Sequence, residues 1–174
     1  QKNINQTQLV NINYHVGFNG QDPFNLDNTS EPGARALFYG VKKVPYAFLD
    51  GVHYSDLTKS NPDTADLFKY WGQAQYDLNT LKLAQADFNN TFPPQADGSL
   101  AIDVNFTPLF DLPSGVGGTT LQIAVLEKSI SSKPAYGNVT TGETTFDYVF
   151  KKLIPNAVGT QFTTPLLGPT PGPT

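Results

Sequence analysis

The chain has 174 residues, no cysteine and no methionine, and its 11 basic residues against 15 acidic ones give a formal net charge of -4. Without cysteine these residues hold no disulfide, no thiol nucleophile, no thiolate metal site and no CxxC redox pair, and the acidic balance argues against a non-specific nucleic-acid binder. A hydrophobic content of 39% with 12% aromatic residues is enough for a folded core, and no apolar run approaches the roughly 18–20 residues of a membrane helix.

Residues 8–16, QLVNINYHV, set Leu9, Ile12, Tyr14 and Val16 among polar neighbours and predict a strand. A turn-rich stretch, residues 17–30, follows. Glu31-Pro32-Gly33 opens a short helix with proline in its first turn. Its predicted core face is Ala34, Leu37, Phe38 and Val41, and Gly40 helps to stop it. VPYAFLDG, residues 44–51, predicts a buried strand carrying Val44, Tyr46 and Phe48, closed by an Asp50-Gly51 hairpin turn and a return strand starting at Val52.

The clearest helix begins near Asn61, which can cap it, with Pro62 at the first position and Asp63 and Asp66 where the helix dipole favours acid. Leu67, Tyr70, Trp71, Ala74, Leu78 and Leu81 recur at a spacing of three to four and form one apolar face. After about residue 80 the period changes to two. Leu83 to Phe88 predicts a strand, Asp97-Gly98 a turn, and Leu100, Ile102, Val104 and Phe106 a half-buried strand. Residues 113–118 read as a loop and 119–127 as a further strand. Residues 144–162 are ambiguous between strand and a short amphipathic helix, and GPTPGPT is a Pro/Gly-rich tail. Short strands separated by turns suggest a β-sandwich.

The order NINYHVG, GQDPFN, ARALFYGVKKVPYAFLDG, then a long helix, resembles the thioredoxin-like part of a Bacteroidetes exported-protein family, the twenty-eight-kilodalton outer-membrane protein family. KKLIPNAVGT, residues 151–160, is a looser match to a stretch of that family's sandwich. The resemblance implies an α+β chain in two parts. Residues 1–82 would form a thioredoxin-like domain lacking its N-terminal strand and CxxC helix, residues 83–167 an immunoglobulin-like β-sandwich, and residues 168–174 the tail. It also implies a cis Val44–Pro45 bond, with Pro45 facing the place where a thiol would sit in a thioredoxin. With no Met at residue 1, the chain reads as processed or trimmed, and any thiol would precede Gln1.

The candidate sites are sparse. His15 and His53 are the two histidines, and with Asp50 they make a candidate polar site. No HExxH or three-histidine spacing supports a metal. Asp22, Asn25, Asp27 and Asn28 form an oxygen-rich loop without EF-hand spacing, which Asx-turns explain more simply. Asp63-Thr64-Ala65 resembles a short O-glycosylation acceptor, with Thr64 as the modified residue, although its place in a helix first turn favours a capping role. No nucleophile elbow, phosphate loop or dinucleotide fingerprint is present.

The expected function is a non-enzymatic exported or outer-membrane-associated binding or structural module, with no catalytic residue, cofactor or metal, and with a protein or glycan partner at the cell surface. Two alternatives stand beside it. One is a thiol–disulfide oxidoreductase or chaperone-like protein whose cysteines lie outside this chain. The other is a carbohydrate-binding or adhesion module.

Overall fold

A computed structural model describes residues 10–18, 22–42, 44–48, 50–51, 84–131 and 143–169. The expected helix from near Asn61 to around Thr80, the return strand after Gly51, His53 and Thr64 lie outside the described residues. The described chain is mixed, with short helices and mostly β-structure in small antiparallel sheets. It packs as two units, one made of residues 1–81 and 122–159, the other of residues 82–121 and 160–174. The first of these junctions follows Leu81. The other two place residues 122–159 with the N-terminal segment.

In the first unit, helix α1 (Pro23–Asp27) is capped by Asp22, whose carboxylate accepts from the Phe24 N–H at 2.9 Å, with Pro23 at the first position. Helix α2 (Ser30–Phe38) ends as a Schellman motif. The Val41 N–H returns to the Ala36 carbonyl at 2.8 Å and the Gly40 N–H to that of Leu37 at 3.0 Å. Gly40 adopts φ +65°, which only glycine takes without strain.

The face that α2 buries differs from the expected one. Pro32 and Ala36 are buried, Arg35 and Tyr39 half-buried, while Ala34 is exposed and Leu37 and Phe38 are 83% and 74% exposed. The reason lies in the first turn. The Glu31 carboxylate accepts from the Leu153 N–H at 2.8 Å, and this bond fixes the helix's rotation about its axis.

Leu153 belongs to the long antiparallel pair of the unit. In the described chain order the next strands are β1 (Ala86–Thr91), β2 (Asp103–Pro108), β3 (Thr120–Leu121), β4 (Ile123–Ser131), β5 (Thr145–Ile154) and β6 (Thr160–Gln161). β4 pairs with β5, so the ambiguous segment 144–162 resolves as strand up to Ile154. Thr, Val, Ile and aromatic residues fill it, as a pleated, partly buried surface prefers. The register shifts by one residue between Val125 and Leu126, which leaves Lys151 as the extra residue of a β-bulge. Tyr148 has φ +55°, and this left-handed residue interrupts the alternation. Phe146 and Val149 therefore both reach the core, where Phe24, Ile130 and Val149 cluster with Phe146 against them.

The outer edge of β5 is occupied by loop and helix residues. Asn13 makes a single parallel bridge to Val149, donating to the Tyr148 carbonyl and accepting from the Phe150 N–H, each at 3.0 Å. The strand expected over 8–16 is thus reduced, among the described residues, to this one bridge. Beyond Phe150 the bulge turns the edge, and Asn28 takes over by donating to the Lys151 carbonyl at 3.0 Å. Residues 44–48 also form no strand. Tyr46 and Phe48 are half-buried, and Phe48 stacks on Tyr39 at 4.5 Å between ring centroids. The Val44–Pro45 and Ile154–Pro155 bonds are cis, and Asp50 and Gly51 form a turn with φ of +49° and +73°.

In the second unit, β1 pairs antiparallel with β2, with Phe88 opposite Phe106 and Asn89 opposite Asn105. One face is a polar ladder, Asp87, Asn89 and Thr91 against Thr107, Asn105 and Asp103. The other carries Phe88 and Phe106, 5.3 Å apart, with Phe162 stacked on Phe106 at 5.6 Å. The Asp97-Gly98 turn forms, and Asp97 accepts from the Ser99 hydroxyl and N–H at 2.6 and 2.9 Å. These bonds hold its carboxyl below the ordinary range. The strand expected over 119–127 breaks at Gln122 into β3, which pairs with β6, and β4. The 113–118 loop is pinned where Gly118 passes the Ser114 backbone so closely that an added Cβ would lie 2.5 Å from it. Leu112 is the buried hydrophobic side chain among this unit's described residues, against six such residues in the first unit. Among the described residues, no helix is long and apolar enough to cross a membrane.

Candidate functional site at His15

His15 leaves the Asn13 bridge and faces the entry to α1. Its Nδ1 lies 2.7 Å from Asp22 Oδ2, while the other oxygen of Asp22 caps α1. Asn25, one turn into the helix, returns its side-chain amide to the His15 carbonyl at 2.9 Å. The imidazole also lies 4.7 Å from the Phe24 ring. The ring is thus held by a carboxylate, a phenyl group and its own tethered backbone, with side-chain exposures of 21% for His15 and 30% for Asp22.

A carboxylate on Nδ1 favours a proton on that nitrogen, so that in the neutral ring Nε2 is the acceptor. That is the base-and-orienter half of a general-base site. Among the described residues no hydroxyl bonds to Nε2, and no group of three or more His, Cys, Asp or Glu side chains is placed to hold a metal. The pair can position a proton or a single ligand atom, and it ties residue 15 to the start of α1.

Asp50 is exposed in its turn and makes no hydrogen bond or ion pair with His15. Its expected partner, His53, lies outside the described residues. The partner that does meet His15, Asp22, was assigned by the sequence to an oxygen-rich loop. That loop is the helix entry itself. Asp22 caps it, Asn25 bonds back to His15, Asn28 holds the next helix and the edge of β5, and Asp27 lies 3.6 Å from Lys151. A visible signal was the Asp-Pro pair at 22–23, which marks a capped helix start. The seven-residue separation from His15 carried no periodic signal.

Asp22→Ala removes both bonds and is expected to lower unfolding free energy by about 1–2 kcal/mol. Asp22→Asn, which can still cap, should lose less than half of that. Urea unfolding measures both. With the ring neutral, imidazole nitrogen shifts should show Nε2 as the unprotonated nitrogen in the native chain and a mixture of tautomers in Asp22→Ala.

No protein-family model matches this chain, no curated protein matches it, and no solved structure matches its fold.

Proposed function

We propose that this chain is a non-enzymatic binding or structural module of an exported, outer-membrane-associated protein, organised as a thioredoxin-like part and an immunoglobulin-like sandwich. The observation that carries the binding role is the second unit's surface. Phe88, Phe92, Leu100, Phe110 and Leu167 are each at least half exposed, and β1 is exposed along five of its six residues. Large apolar side chains left in water in such numbers favour a surface that meets something else. The order of the NINYHVG and VPYAFLDG segments supports the outer-membrane context by resemblance alone.

Fractionation tests the assignment. Antibody raised against the chain should find the native protein with the outer membrane, and protease added to whole cells should degrade it. Recovery in the cytoplasmic fraction would sink the proposal. A carbohydrate-binding reading draws on the same exposed rings. It predicts retention on a glycan array that Phe88→Ala abolishes.

A further inference from the structure

Arg35 is the single arginine of the chain. It stands half-buried on α2. Its guanidinium lies 5.0 Å from the centre of the Tyr39 ring and 5.3 Å from that of Phe38. Nη2 donates to the Tyr39 hydroxyl at 3.2 Å. Nε is buried and no acceptor reaches it. Tyr14 is the third neighbour. Burial raises its phenol above the ordinary range, and the nearby Arg35 charge opposes part of that rise.

Among the described residues this group has no counter-charge. Among the described residues no carboxylate lies within 4.0 Å of the Arg35 guanidinium, in a chain with more acidic residues than basic ones. The comparison with Lys151 is direct. That cation, exposed by a third, has Glu127 at 3.5 Å and Asp27 at 3.6 Å. A guanidinium offers five N–H donors in a planar fork, and its hydrogen bond to Tyr39 leaves donors over. Ring faces compensate a cation only in part, and a half-buried charge without a nearby opposite charge is costly.

We propose that Arg35, flanked by the hydroxyls of Tyr14 and Tyr39, binds the carboxylate of a small organic acid whose body lies against the exposed ring of Phe38. A carboxylate is planar, bears one charge and presents two acceptors, which matches a single guanidinium fork. The two phenol hydroxyls add donors at its sides. The exposed Phe38 ring supplies an apolar surface for the carbon skeleton. The site lies in the first unit and is independent of the apolar surface that carries the binding role above.

Amide chemical-shift titration of the whole chain tests it, with acetate, glucuronate, inorganic phosphate and uncharged glucose as probes. Saturable shifts are expected for acetate and glucuronate, centred on Tyr14, Arg35, Phe38 and Tyr39, with none for glucose. Tighter binding of glucuronate than acetate would place a sugar acid on Phe38; equal binding would leave the carboxylate as the recognised group. Arg35→Gln should weaken binding by about tenfold or more, the loss of a charge-assisted pair. Tyr39→Phe, which keeps the ring and the charge, should weaken it by a few-fold and serves if Arg35→Gln does not fold. Phosphate binding more tightly than either carboxylate overturns the choice of ligand. Shifts that do not saturate, that centre elsewhere, or that persist unchanged in both variants overturn the site.

Discussion

Leu153→Ala is expected to lower the free energy of unfolding by about 2–5 kcal/mol, the range for truncating a fully buried leucine. Leu153 is 1% exposed, as is Val149. Its position in the range follows from its neighbours. The residue directly across the ladder is Ala124, a side chain too small to move into the space left behind. The Leu153 backbone is held on its outer side by Glu31, so the strand cannot settle inward without breaking that bond. A site that cannot collapse retains its cavity, and the cost lies in the upper half of the range. Val125→Ala is the control. Val125 is 37% exposed and faces Lys152 across the pair, and its truncation should cost less than about 1 kcal/mol. Urea unfolding with an unchanged slope for both variants would attribute the difference to the folded state. Equal losses for the two would mean that the core of the first unit is not centred on β5.

How far the fold was legible depends on which physical rule wrote each element. Local rules were readable. Asp97-Gly98 forms its turn, Gly40 ends α2 with the left-handed geometry a helix stop needs, and the alternation around Val104 and Phe106 is the burial pattern of β2. Rules that act across the chain were not. The segment 144–162 hid its strand because Val149 and Phe150 are adjacent and both buried, and because Tyr148 interrupts the pleat. A period-2 search sees neither event. The rotation of α2 was illegible for a related reason. Its hydrophobic residues at 37 and 38 point to one face, but the bond from Glu31 to a strand 122 positions away decides another.

The candidate site shows the same division. His15 was visible as one of two histidines, but Asp50 and His53 were nominated as its companions through closeness in sequence to each other, not to it. The groups that hold it, Asp22, Phe24 and Asn25, come from the helix entry seven to ten residues on. Arg35 was given no role by the sequence. Its significance comes from the pairing of charges in space, since ten lysines and fifteen acids in a sequence do not say which cation lacks an acid.

Glu31→Ala should cost about 1.5–3 kcal/mol, the scale of hydrogen bonds to a charged acceptor. One oxygen, Oε2, accepts from the Leu153 N–H at 2.8 Å and from the Asn28 side-chain amide at 2.7 Å. Asn28 in turn donates to the Lys151 carbonyl and accepts from the Glu31 N–H. The bulge at Lys151 creates the need for both residues. It takes the Lys151 carbonyl and the Leu153 N–H out of the regular edge pattern, and a buried backbone group without a partner is penalised. Glu31 also carries its charge in the first turn of α2, where the helix dipole stabilises it. Removing the side chain therefore orphans a backbone donor, loosens Asn28 and forfeits the dipole term. Glu31→Gln keeps an oxygen for Leu153 and should lose less than Glu31→Ala. Because Glu31 and Asn28 serve one bulge, the double variant Glu31→Ala, Asn28→Ala should fall short of the sum of the single losses by about 0.5 kcal/mol or more. Amide exchange gives the local readout: the Leu153 amide should lose protection in Glu31→Ala by a larger factor than the Ile130 amide on the paired strand. Equal changes at both would reduce Glu31 to a general contributor to stability, and no change at Leu153 would remove it from the edge of β5 altogether.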